Sequence, residues 1–153
     1  SLAALKSQHT EVDLHIPALI NDDYLPDINQ RLSLYKRIAS AEDDDSLDAL
    51  RIEIIDRFGL MPEAAQNLFS VTRLRNIATS LGITKIDTNA KQAKVEFSES
   101  TPIEPIVIIQ LIQSYPSEYQ LQGASVLIYK KETLPSERVT MVEQLLQRLK
   151  NTG

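Results

Sequence analysis

The 153-residue chain has no cysteine and no tryptophan, only two histidines, and glycine at just four positions, 59, 82, 123 and 153. Without cysteine there is no disulfide, no thiolate metal site and no cysteine nucleophile, which fits a reducing compartment, by default the cytoplasm. Four scattered glycines leave nowhere to write a Gly-rich phosphate loop, a Walker motif or a dinucleotide fingerprint. His9 and His15 are six residues apart, one in a weakly patterned start and the other on the polar side of an alternating stretch. Both read as solvent-facing, and no metal site or cofactor is expected. A hydrolase would have to rest on acid pairs, a serine or a lysine without a surrounding signature, so no catalytic residue is assigned. No apolar run approaches the roughly 20 residues that span a bilayer, and Ser1 to Lys6 lacks the pattern of a signal peptide, so no membrane partner is expected.

What is present is acidic. Lys and Arg number 16 against 21 Asp and Glu, a formal charge of -5, which argues against neutralising phosphates as the main task. The pairs Lys36-Arg37, Arg73 with Arg75, and Lys130-Lys131 lie on three separate elements. They support a second reading, an accessory nucleic-acid-binding domain. The length suits a single domain able to bury roughly 70% of its unfolded surface. Residues 1–10 are expected to be a flexible lead-in and 11–150 one domain. The serine start suggests a piece of something longer.

Along the chain, Val12, Leu14 and Ile16 alternate with Glu11, Asp13 and His15 as in a half-buried strand. "PALINDDYLP" reads as a loop. Asp27 and Gln30 resemble a capping box opening a helix to about Ala41, with Ile28, Leu32, Tyr35 and Ala39 as its core stripe. The acidic run Glu42 to Asp45 precedes a second helix over Ser46 to Phe58, capped by Gly59. Pro62 opens a third helix to Leu81, with Ala65, Leu68, Val71, Leu74, Ala78 and Leu81 inward. Thereafter "ITKID" and "KVEFS" form a strand pair. Pro105 to Ser114 is an isoleucine-rich helix expected to be buried on more than one side. "YQLQGASVLIYKK" is a second strand pair around Gly123, and Glu137 to Lys150 a last helix. The class is α+β: N-terminal helices, then a small mixed or antiparallel sheet with packed helices, in the order β-α-α-α-β-β-α-β-β-α.

One stretch, "EIIDRFGLMP" (Glu53 to Pro62), needs more than helix punctuation to explain it. On a helical wheel Leu47, Leu50, Ile54 and Phe58 lie within about 80° of each other, while Glu53 and Asp56 lie about 60° apart on the opposite side, Ile52 beside Asp56. Carboxylates in a helix's last turns oppose its negative end, at about 0.3 to 1 kcal/mol each, and a Glu53–Arg57 pair returns only about 0.2 to 0.5 kcal/mol. The two acids fit either a solvated edge or a docking patch for a basic surface. An outward helix face argues against paired-carboxylate catalysis.

"LPDINQRLSLYKRIASA" (Leu25 to Ala41) and "LRIEIIDRFGLMPEAAQNLFSVTRLRNIATSLGI" (Leu50 to Ile83) resemble the C-terminal domain of the bacterial transcription-repair-coupling factors. The paired patterns R-L-x-x-Y-K-R-I and E-x-x-D-R-F-G-x-x-P carry the likeness, which extends more loosely to about Leu149. The resemblance implies a non-catalytic regulatory domain of an ATP-driven, helicase-like DNA translocase in the bacterial cytoplasm. That translocase pushes stalled RNA polymerase off DNA lesions and recruits nucleotide excision repair. ATP and Mg would belong to motor modules outside this chain. The domain would dock on the UvrB-like module of the same protein and mask the surface that recruits UvrA, an autoinhibited state. Glu53 and Asp56 take the family's docking positions, with Arg57 and the neighbouring Ile52 as further candidates.

Overall fold

A computed structural model describes residues 10–150. The expected lead-in falls on residues 1–9, outside the described residues, except for Thr10. That side chain is buried and donates to the Ile83 carbonyl at 2.5 Å. Five strands and five α-helices follow in the expected order. They are β1 Glu11–Asp13, α1 Ile28–Ser40, α2 Asp44–Phe58, α3 Glu63–Ser80, β2 Ile83–Thr88, β3 Gln92–Phe97, α4 Pro105–Ser114, β4 Tyr119–Gln122, β5 Val126–Lys130 and α5 Arg138–Lys150, the last entered through a single 3-10 turn at Pro135–Glu137. The chain divides into two compact units, one made of residues 1–15 and 77–153, the other of residues 16–76.

The first unit holds a mixed five-stranded sheet in the order β1-β2-β3-β5-β4. β1 runs parallel to β2, pairing Val12 with Ile86, and the remaining contacts are antiparallel. On β3, Ala93, Val95 and Phe97 are buried while Gln92, Lys94 and Glu96 are only half-buried, the period-two pattern of a sheet with one face against the core. α5 supplies Val142, Leu145, Leu146 and Leu149 to that core, as its sequence indicates. Arg138 is buried at its start and donates to the carbonyls of Leu14 and His15 at 3.2 and 3.1 Å.

Two expectations in this unit are corrected. β1 stops at Asp13 instead of reaching Ile16, because His15 takes a positive φ of 53° and its N–H bonds back to the Asp13 carboxylate at 2.9 Å. In α4 only Val107 and Leu111 are buried, and Ile106 and Ile109 lie exposed, so the isoleucine-rich helix is covered on one side and not around its circumference.

The second unit is a three-helix arrangement with one core. Asp27 caps α1 by accepting from the N–H groups of Asn29 and Gln30, and Asp43 caps α2 by accepting from Ser46. The acidic run therefore starts a helix, with Asp44 and Asp45 in its favourable first turn. Leu47, Leu50 and Ile54 of α2 are buried with Met61, Ala65 and Phe69. On α3, Leu68 and Val71 are only half-buried and Phe69 takes the inner position, so the expected stripe holds in part.

The expected stripe of α1 is corrected at three of its four positions: Tyr35 packs half-buried against the core, but Ile28, Leu32 and Ala39 are exposed. Leu34 and Ile38 are buried, whereas Ile28 and Leu32 remain 60% and 53% exposed. The cause is the segment read as a plain loop. Its Ile20 and Leu25 are themselves core residues, Ile20 N–H donates to the Tyr35 hydroxyl at 2.7 Å, and Arg31 donates to the carbonyls of Leu25 and Pro26 at 2.7 and 2.9 Å. These contacts turn α1 by roughly a quarter revolution from the stripe its sequence offers.

Candidate docking surface

α1 and α2 bring together most of the residues singled out in the sequence. Ile52, Glu53, Asp56 and Arg57 all lie in the last two turns of α2, whose end is fixed from three sides. The Gly59 N–H donates to the Ile55 carbonyl at 2.9 Å, the Tyr24 hydroxyl donates to the Gly59 carbonyl at 2.6 Å, and the Tyr24 and Phe58 rings meet edge to face at 6.5 Å. Phe58 and Gly59 thus serve helix termination.

The structure separates the two acids. Glu53 is gripped by Arg37 of α1 in a two-pronged bond, Nη1 to Oε2 at 2.5 Å and Nη2 to Oε1 at 2.8 Å. Arg57, the partner suggested by i,i+4 spacing, stands 3.9 Å away, and its guanidinium lies 4.8 Å from the centre of the Phe58 ring. The hydrogen bonds from Arg37 hold the Glu53 carboxyl below the usual carboxylate range; desolvation opposes this, and the charges of Arg37 and Arg57 add to it. Glu53 therefore ties α1 to α2, and an intramolecular task accounts for a carboxylate late in the helix.

Asp56 differs. It is exposed and makes no hydrogen bond or ion pair among the described residues. One turn before it, Ile52 is 55% exposed. The outward edge of α2 is an apolar side chain beside an uncommitted carboxylate, flanked by the Arg37–Glu53–Arg57 row. Such an edge can present complementary charge to a basic surface and one apolar anchor.

Sequence reasoning missed Arg37, which it grouped with Lys36 as one of the basic pairs behind the nucleic-acid-binding reading. The signal was present only as geometry: the turned α1 faces Arg37 towards α2. Of the other basic residues singled out, Arg73 and Arg75 are engaged locally. Arg73 bonds Asp44 at 3.3 Å, and Arg75 donates to the Ala39 carbonyl at 3.1 Å. Lys130 and Lys131 are exposed and belong to the other unit. His15 sits with Nε2 3.0 Å from Asp87 and 3.7 Å from Asp13. No group of three or more His, Cys, Asp or Glu suited to a metal ion occurs among the described residues, and no helix among them is long and apolar enough to cross a membrane. His9 lies outside the described residues.

A family model described as the TRCF domain matches residues 14–108. The chain belongs to the TRCF domain family. Its relatives include the transcription-repair-coupling factor of Escherichia coli, 44% identical over 147 residues, covering 96% of this chain and 13% of the relative. That of Haemophilus influenzae is 41% identical over 150 residues, covering 97% of this chain and 13% of the relative. This TRCF chain thus spans about an eighth of the length of the curated relatives it matches. A crystal structure of the C-terminal domain of transcription-repair coupling factor superposes with a TM-score of 0.71, covering 95% of this chain and 98% of that one at 16% identity. At that identity the likeness speaks for the fold alone, and it is the α+β fold with a mixed five-stranded sheet. The TRCF match includes α1, α2 and α3 entire, and with them the whole candidate edge.

Proposed function

We propose that this TRCF domain is a non-catalytic regulatory module. It docks through the outward edge of α2 on the UvrB-like module of a longer ATP-driven DNA translocase and covers the surface that recruits UvrA. In that setting the whole protein clears stalled RNA polymerase from damaged DNA and brings in nucleotide excision repair. The observation that supports the docking reading best is the juxtaposition of exposed Ile52 with uncommitted Asp56 on a helix whose other late-turn groups already have partners.

A patch this small suits a latch. Few contacts hold the docked state, so a ligand that binds the undocked state better opens it by its differential affinity alone. Truncating one member of a desolvated charge pair costs several kcal/mol, roughly a hundredfold or more in affinity, so one acid can dominate such a contact. Titration of this domain against the UvrB-like module is the test. Asp56→Arg and Ile52→Asp should each weaken binding at least tenfold while the fold persists, since both side chains are exposed. Glu53→Arg alone is ambiguous because it breaks the bridge to Arg37. The exchange Arg37→Glu with Glu53→Arg keeps a bridge and inverts its polarity, and separates docking from helix pairing. Unchanged affinity in Asp56→Arg and Ile52→Asp would refute the assignment. The nucleic-acid reading predicts a low-salt gel shift with duplex DNA that Lys130→Glu and Lys131→Glu abolish. The local pairing of Arg73 and Arg75 disfavours it.

A further inference from the structure

The second unit carries a concave surface that the α2 edge does not use. A cleft of about 630 Å³ opens between α2 and α3. Its floor is apolar, made of Leu47, Ile55, Met61 and Phe69, and Leu60 stands at its rim. Leu60 is 86% exposed, more than any other large apolar side chain among the described residues. It is held there. The flanking Gly59 is fixed through both its N–H and its carbonyl, and Gln66 Nε2 donates to the Met61 carbonyl at 2.9 Å. A leucine kept in water by a pinned turn, next to an apolar floor, is a preformed anchor point.

The cleft is also polarised along its length. Its α2 wall runs from Asp44 to Ile55, about 16 Å at helical rise. At the Leu60 end the lining of Ile55, Met61 and Gln66 carries no charge. At the other end Asp44 and Asp48 line the wall, and Glu42, Asp43 and Asp45 crowd the same helix start. Arg73 answers Asp44, Arg75 lies within Coulombic reach of Glu42 and Arg51 sits midway, so the two acids and two arginines of the lining balance. The surplus of acids comes from Glu42, Asp43 and Asp45, just outside the lining at the start of α2. The complementary shape is a rod with an apolar stripe at one end and cations at the other.

We propose that this cleft docks an amphipathic helix of a partner protein, about three turns long, with an apolar stripe between Leu60 and Phe69 and Lys or Arg over Asp44 and Asp48. The proposal does not rest on the α2 edge being a docking site. It is tested on the ¹⁵N-labelled domain with two synthetic helical peptides of about 12 to 15 residues that share a leucine stripe at i, i+4 and i+7. One ends in lysines, the other in glutamates.

The lysine peptide should shift the amide resonances of Ile55, Leu60, Met61 and Phe69 and bind about tenfold or more tighter than the glutamate peptide. Leu60→Glu should abolish binding and Asp48→Lys should weaken the lysine peptide alone. Asp56→Arg, on the other edge, should leave it unchanged. Both Leu60 and Asp48 are exposed, and unshifted resonances elsewhere verify the fold of the variants. Equal affinity for the two peptides, or shifts spread over the acidic surface regardless of Leu60, would overturn the proposal. A dimer in sedimentation that Leu60→Glu dissolves would overturn it in favour of self-association.

Discussion

Replacing Gly82 by alanine should destabilise the first unit far more than the same change at Gly123, although the two residues share nearly the same φ. Gly82 has φ +67° and Gly123 +66°, both in the left-handed region. An alanine pays about 1 to 2 kcal/mol there at either site. What differs is the space. A Cβ on Gly123 meets nothing within 4 Å, whereas on Gly82 it would lie 2.5 Å from Thr101 Cα, 2.9 Å from its Cβ and 3.0 Å from its Oγ1.

Thr101 cannot step aside. Its hydroxyl donates to the Leu81 carbonyl at 2.6 Å and accepts from the Ile103 N–H at 3.2 Å, and the Gly82 carbonyl is bonded by the Ser98 N–H at 2.8 Å. Overpacking of this kind adds about 1 to 3 kcal/mol. Gly82→Ala should therefore lose about 2 to 5 kcal/mol against about 1 to 2 for Gly123→Ala. With a urea slope of about 2 kcal/mol per molar, the extra loss moves the midpoint by about 1 M. Tyrosine fluorescence reports it well, because Tyr115, Tyr119 and Tyr129 share the unit with both glycines. Adding Thr101→Gly to Gly82→Ala should recover little, since the nearest atom is backbone. Equal losses at the two glycines, or full rescue by Thr101→Gly, would refute the steric argument.

Other outcomes follow from single contacts. Arg37→Gln should raise the pH at which the Glu53 carboxyl titrates, read by carboxyl ¹³C NMR; an unmoved titration would deny Arg37 its role. Because the folded carboxyl titrates below its unfolded value, its stabilisation is present above the unfolded value and fades as pH falls through the folded one, so the variant should lose less of its stability across that acid range. Arg138→Met strands the carbonyls of Leu14 and His15 and should cost about 1 to 3 kcal/mol in thermal unfolding. Asp27→Ala removes the cap of α1 and should cost about 1 kcal/mol in urea unfolding of the second unit.

Where local signals agreed, the chain was legible before its structure. Asp27, Gly59, Pro62 and Gly82 punctuate the helices close to where they begin and end, and Val95 and Phe97 of the expected strand share the buried face of β3, which starts two residues earlier at Gln92. Where two apolar faces compete, pattern cannot choose. α1 offers Ile28 with Leu32 and also Leu34 with Ile38, and the decision came from Ile20 and Leu25, core residues of a segment whose pattern reads as a loop. The candidate edge shows the same limit. The wheel found Glu53, Asp56 and Ile52 on the outward side of α2, but only packing revealed that Arg37 engages Glu53 and leaves Asp56 as the uncommitted acid.

The parallel pairing of β1 with β2 sets an order of events in folding. The turn from Thr88 to Ala93 closes over a few residues, as does the one joining β4 to β5, whereas joining Glu11 to Lys85 closes a loop of roughly 70 residues at about 2 kcal/mol more entropy. That loop contains the whole of residues 16–76, and it shortens in effect only once they have folded. β1 should then be the last strand to gain hydrogen-exchange protection during refolding, and the inserted helices the step on which completion of the sheet waits.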